Sequence, residues 1–211
     1  LMPLPQFIEQ SAGTGFVNKP AGHDGVTRHM RSYIDTGKLT DFSLETKLLA
    51  VLNGVSPREI SLRADTIRIG AGRSFFAGPS GVLPINFRFR PEQIPTVPAY
   101  RVLSGDIPPD LFTGRIVMVG ATATLIHDEL LTPLGVVPGV TVLVNALSML
   151  MQNDYLTVMP LSIDIVIILV LGILILAVAS TQTFARSCAI TGLIMTGWLA
   201  AMTYLRMRNV E

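Results

Sequence analysis

The chain of 211 residues contains one cysteine, Cys188. A single thiol excludes an internal disulfide and leaves no cysteine set for a zinc site. It lies in an apolar run and reads as a packing residue, so it does not report the redox compartment. Charge is also scarce, at 15% Asp, Glu, Lys and Arg, and balanced: 16 basic against 15 acidic residues. No basic field invites nucleic acid, and no acidic tail points to a charged partner. Phosphate-binding signatures are missing as well. In "VGATATLI" Gly120 is the only glycine, where a dinucleotide fingerprint needs three, and no Gly-Lys-Ser/Thr P-loop occurs. There is no G-x-S-x-G elbow. His23, His29 and His127 show no metal-ligand spacing. Nothing here calls for a cofactor or assigns a catalytic residue.

What is present is apolar. Mean hydropathy is +0.51, and the excess lies toward the C-terminus. Residues 161 to 180, "LSIDIVIILVLGILILAVAS", carry one charge, Asp164. At about 1.5 Å per residue such a run covers roughly 30 Å, the thickness of a bilayer's hydrocarbon core. Residues 188 to 205, "CAITGLIMTGWLAAMTYL", form a second uncharged run, with Trp198 and Tyr204 as candidate interfacial anchors. These patterns predict transmembrane helices over 157–180 and 188–205, joined by a cytoplasmic loop over 181–187. Residues 206–211 end the fragment. A buried pair of core helices is the alternative, though core helices are seldom apolar on every face. Arg186 argues for a cytoplasmic loop, whereas Arg206 and Arg208 pull the other way. That conflict leads us to expect a third span beyond the sequence.

Residues 1–156 read as mixed α/β. Strand patterns fall at 14–18, 26–34, 65–70 and 82–89, the last with Ile85, Phe87 and Phe89 on one face and Asn86, Arg88 and Arg90 on the other. Leu44, Leu48, Val51 and Leu52 predict a helix over 42–53, with Asp41 as N-cap and Gly54 as stop. A short helix is expected in 97–105. "RIVMVG", 115–120, is the most hydrophobic strand pattern and predicts a central strand. A helix over 139–153 follows Pro138, with Val140, Leu143, Leu147 and Leu150 as its apolar stripe.

The pieces in order resemble the second type of CHASE domain, a cyclase and histidine-kinase associated sensory extracellular domain. They are "GFVN" (15–18), "DGVTR" (24–28), "INFR" (85–88), "VLSG" (102–105), "GRIVMVGATATLIHDELLTPLG" (114–135) and "PGVTVLVNAL" (138–147). The combination of Val-Gly-Ala-Thr-Ala, Asp128, Thr-Pro-Leu, Pro-Gly-Val and Asn145 is specific, and the resemblance as a whole covers nearly all of 13–156. This chain departs from the resemblance in having Phe89 where relatives often carry glycine, and Leu143 where they often carry histidine. The family arrangement also implies a preceding transmembrane helix and opening strand, upstream of Leu1.

The resemblance implies an α/β extracytoplasmic sensor domain followed by transmembrane helices in the inner (plasma) membrane. An environmental or small-molecule signal outside would drive a cytoplasmic cyclase or kinase domain lying beyond these residues. The bilayer is then a partner, and a homodimer is possible. In an open α/β sheet, ligands favour the carboxyl ends of strands, which places Gly120 to Thr124 and Asp128 at such an end, with Arg28 and Arg88 approaching. Candidate ligand-binding or loop-organising residues are Asp128, Thr132, Arg28, Arg88, Asn86 and Asn145. Each has a bland reading beside it. Asp128 can cap a turn or helix start, the arginines can form strand-face salt bridges, Asp24 can hold a turn, and Asn145 on an apolar helix needs a partner, for which loop backbone is the natural source. Two further functions remain open: a membrane-anchored interaction module without ligand, and a membrane-tethered α/β enzyme.

Overall fold

The computed structural model describes residues 4–78, 80–122, 128–156, 161–181 and 183–208. The chain divides into two compact units, Leu1–Leu156 and Thr157–Glu211.

The first unit is mixed α/β. After a short helix α1 (Pro5–Gln10) come strands β1 (His29–Arg31), β2 (Tyr33–Asp35) and β3 (Thr40–Phe42), then helix α2 (Leu44–Leu52). Strands β4 (Ile60–Arg63), β5 (Thr66–Ile69), β6 (Arg73–Phe76) and β7 (Val82–Pro84) follow. Helix α3 (Ala99–Leu103), strands β8 (Glu129–Thr132) and β9 (Gly135–Pro138) and helix α4 (Gly139–Gln152) complete it.

Among the described residues no single open sheet exists. All strand pairs are antiparallel: β1 with β7, β2 with β3, the meander β4-β5-β6, and the hairpin β8-β9. The rule about carboxyl ends of a parallel sheet therefore has nothing to act on. The core lies where α2 and α4 pack together and meet Met30, Phe42, Ile67, Ile69, Phe75, Ile85 and Val137.

The expected helix over 42–53 forms, but Asp41 does not cap it. Ser43 does, its Oγ accepting the Thr46 N–H at 3.3 Å. Asp41 is in β3, and its carboxylate accepts from the Lys47 ammonium at 2.6 Å. Gly54 ends the helix as expected. At φ +69 it allows the Val55 N–H to reach the Ala50 carbonyl and its own N–H to reach Val51, which is a Schellman ending.

The strand expected over 26–34 breaks at Ser32. Its N–H turns to the Gly81 carbonyl and its carbonyl to the Ser43 N–H, so β1 and β2 serve different partners. Residues 14–18 make one bridge, Phe16 to Ser43, and otherwise lie flat across the start of α2. A Cβ at Gly15 would fall 2.6 Å from the Leu44 nitrogen, so only glycine permits that approach. The strand over 82–89 stops at Pro84, although Ile85 still donates to the Arg28 carbonyl.

The largest correction concerns 115–120. These residues form no strand, and Val117 and Val119 are exposed, the latter at 93%. Apolar sequence does not by itself make a strand; a ladder needs a second edge, and none of the described residues supplies it. The segment approaches α4 instead. A Cβ at Gly120 would lie 2.6 Å from Val140 Cβ, so this glycine serves close backbone-to-helix packing and not a phosphate turn.

Helix α4 matches the range expected for it, but its face is rotated. Of the expected stripe Leu147 and Leu150 are buried, whereas Val140 and Leu143 are only half-buried; Val142, Ala146 and Met149 join Leu150 in the core.

In the second unit, α5 (Leu161–Thr181) has 21 residues and α6 (Phe184–Arg208) has 25, and the two helices contact each other. Among the described residues no helix is long and apolar enough to cross a membrane. Cys188, expected to pack, is exposed.

Candidate functional site

Helix α4 gathers most of the residues that the sequence singles out, and they fall at three levels along it. At its start, the hairpin β8-β9 delivers the chain through Pro138 into the first turn. Thr132 is buried in that hairpin and holds its turn: Oγ1 donates to the Gly135 carbonyl at 2.9 Å and accepts the Leu134 N–H at 3.1 Å. Asp128 is exposed and sits over Gly139. Its carbonyl accepts the Gly139 N–H at 2.8 Å, and a Cβ on Gly139 would lie 2.6 Å from Asp128 Oδ1. A carboxylate placed there lies at the positive end of the helix dipole. Thr124 and His127 lie outside the described residues, as does the middle of the loop expected to run from Thr122 to Gly135.

At the middle level is Asn145, which is 1% exposed. Its Oδ1 accepts the Phe89 N–H, and its Nδ2 donates to the Phe89 and Thr141 carbonyls, all at 2.9 Å. The peptide of Phe89 bonds to a side chain on α4 instead of to a neighbouring strand. On the outer flank of α4, Ile116, Met118, Val144, Leu147 and Met151 line a cleft of about 200 Å³. Its polar groups, Ser148 and Gln152, bond each other at 3.0 Å.

At the end of α4, Asn153 takes the left-handed conformation at φ 55. The Asp154 N–H then reaches the Met149 carbonyl at 3.0 Å, and the Asn153 N–H reaches Leu150 at 3.4 Å, a second Schellman ending. Arg73 of β6 covers this end. Its Nη2 donates to the Leu150 and Met151 carbonyls and to Asn153 Oδ1. The Asp154 carboxylate accepts from Arg88 Nε at 2.5 Å and Asn86 Nδ2 at 2.9 Å. Tyr155 stacks on Phe75 with centroids 5.9 Å apart. Burial pushes its hydroxyl pKa up, and the neighbouring Arg73 opposes that shift.

The expected convergence on Asp128 therefore does not occur. Arg88 and Asn86 hold Asp154 at the opposite end of α4. Arg28 is taken by Asp24, a bidentate exposed pair with bonds of 2.8 and 2.9 Å. Hydrogen bonds from Arg28, then from the Val26 N–H, hold the Asp24 carboxyl down at about 2.

Sequence reading missed Lys19 and Glu45. Their side chains pair inside the domain, 4% and 0% exposed, and Glu45 Oε2 has no further partner among the described residues. The available signal was the helical spacing of Glu45 and Leu49, which puts a carboxylate on the buried face of α2.

A second cleft, about 260 Å³, is lined by Thr14, Lys47 and Arg58, but Lys47 is already bonded to the Thr14 carbonyl and Asp41. Among the described residues no group of three or more His, Cys, Asp or Glu could hold a metal.

The fold is thus a mixed α/β domain organised on one helix, followed in sequence by two apolar helices. The family model of the CHASE2 domain matches residues 3–177, and the chain belongs to that family. CHASE2 domains are extracellular sensory modules of signalling receptors and are not themselves catalytic. Among curated proteins and solved structures, none matches this chain.

Proposed function

We propose that residues 1–156 are the extracytoplasmic sensor of a membrane-bound receptor, and that α4 passes its signal to membrane-spanning helices. The family match carries this reading. It runs from the α/β domain past residue 161 to residue 177, so the domain and the first apolar run belong to one unit of sequence. The sequence of residues 161–180, twenty residues with the single charge Asp164, supports a span, since about 20 predominantly apolar residues suffice. The output domain belongs to the cyclase or kinase class and lies on the cytoplasmic side. The signal is a small molecule or an environmental change. On this reading the receptor lies in the inner membrane, and two copies pair through its spans.

Alkaline phosphatase fused at residue 155 and at residue 184 tests the topology. Activity is expected at 155 only. Activity only at 184 rejects the reading.

A further inference from the structure

Between Arg115 and Arg186 the sequence has no Lys or Arg. Asp154 therefore cannot find a counter-ion near it in the chain, and its partner must come from a distant segment. That partner is Arg88, 66 positions earlier, assisted by Asn86. Three contacts then converge on the few residues that follow α4. Arg73 holds the last carbonyls of the helix and Asn153, Arg88 and Asn86 hold Asp154, and Phe75 stacks on Tyr155. Beyond Leu156 the chain passes to α5 within a few residues.

We infer that Arg73, Asn86, Arg88 and Asp154 form a coupling clamp, which ties the exit of α4 to β6 and to the segment after β7. The inference rests on the receptor reading above and names its transmitting element.

The degree of burial suits the role. Arg88 is 44% and Asp154 28% exposed. A fully exposed pair holds little, because water and salt compete. A fully buried pair is costly to break and so stays closed. A half-buried pair with a second donor on the same carboxylate lies between these limits, so closed and open forms can both be populated. The clamp also joins two parts of the core. Arg73 and Phe75 belong to the meander, whereas Asn86 and Arg88 precede Phe89, whose backbone is held by Asn145 in the middle of α4. A shift of α4 against the meander therefore loads the same residues from both sides. A closed clamp makes Asp154 to Leu156 move with the domain; an open one lets them move independently.

The test uses the full-length receptor in membrane vesicles, with Arg88→Met and Asp154→Asn as single variants. A flexible Gly/Ser insertion after Leu156 serves as the uncoupling control. Two quantities are read: hydrogen exchange of peptides covering 150–156, and basal ATP or GTP turnover by the output domain. Each single variant is expected to speed exchange about ten- to a hundredfold, as loss of a bond to a charged group predicts, and to shift turnover as the insertion does. The swap Arg88→Asp with Asp154→Arg restores both toward wild type, which a generally unfolded variant cannot do. Unchanged exchange in both single variants overturns the clamp. Faster exchange with wild-type turnover, where the insertion alters turnover, overturns the coupling role and leaves the receptor reading standing. If the insertion too leaves turnover unchanged, both fall.

Discussion

The side chain of Asn145 pairs with the backbone of Phe89 as a neighbouring strand would, accepting its N–H and donating to its carbonyl, each at 2.9 Å. One amide thus fixes where the segment after β7 lies against α4. Replacing it with alanine leaves that N–H and carbonyl without their partner in a partly buried place. Asn145→Ala should cost about 1–3 kcal/mol. Asn145→Asp keeps the acceptor but loses the donors and should also destabilise. Thermal unfolding of the chain measures both. Coincident melts for alanine and wild type would show that water replaces the amide without loss.

The Lys19–Glu45 pair predicts a pattern instead of a single number. Lys19→Met leaves a carboxylate buried without its cation and should cost about 3–5 kcal/mol. The double variant Lys19→Met with Glu45→Met removes both charges and should recover most of that loss. Denaturant titrations of the two variants decide it. A double variant no more stable than the single one means that the pair contributes through packing of its chains, not through its charges.

Gly139 and Asp128 should show coupling that reverses in sign. Alanine at the first position of α4 gains helix propensity of up to about 1 kcal/mol. With Asp128 present, the added Cβ would fall 2.6 Å from its carboxylate and displace it from the helix start. Gly139→Ala should therefore destabilise the native chain and stabilise the Asp128→Ala variant. A double-mutant cycle reads the difference. Additive effects would mean that the carboxylate contributes nothing where it sits.

Asp24 titrates at about 2, held down first by its hydrogen bonds from Arg28. The folded value lies below the ordinary 3.8, so the contribution to stability is present above that value and is lost as pH falls toward 2. The pair is exposed, and its effect on global unfolding is small. The direct measurement is an NMR titration of the side-chain carboxyl. Arg28→Met should move the midpoint up to the ordinary carboxylate range. An unchanged midpoint would assign the shift to the Val26 N–H instead.

Much of the first unit is legible from local pattern. The ends of α2 and α4, the strand at 66–69, the short helix at 99–103 and the apolar runs near the C-terminus all follow from spacing, turn residues and caps. These signals act within a few residues, so a sequence displays them directly. Even there, competition between neighbours matters. Asp41 and Ser43 are both able caps, and Ser43 caps the helix while Asp41 remains in β3, where its side chain meets Lys47.

The family and the α/β class were set by the sequence alone, because the ordered pieces from Gly15 to Leu147 lie along one chain and need no partner to be recognised. Tertiary structure decided which of them meet. Helix α4 is apolar on nearly every side, so composition could not choose its face; contact with α2 turned Val142, Ala146, Met149 and Leu150 inward. "RIVMVG" has the makings of a central strand, but a ladder needs a second edge, and the described fold lays the segment beside α4 instead. Arg88 meets Asp154 across 66 positions, and Lys19 meets Glu45 across 26. Pairing over such distances depends on how the chain closes on itself, which no local spacing records.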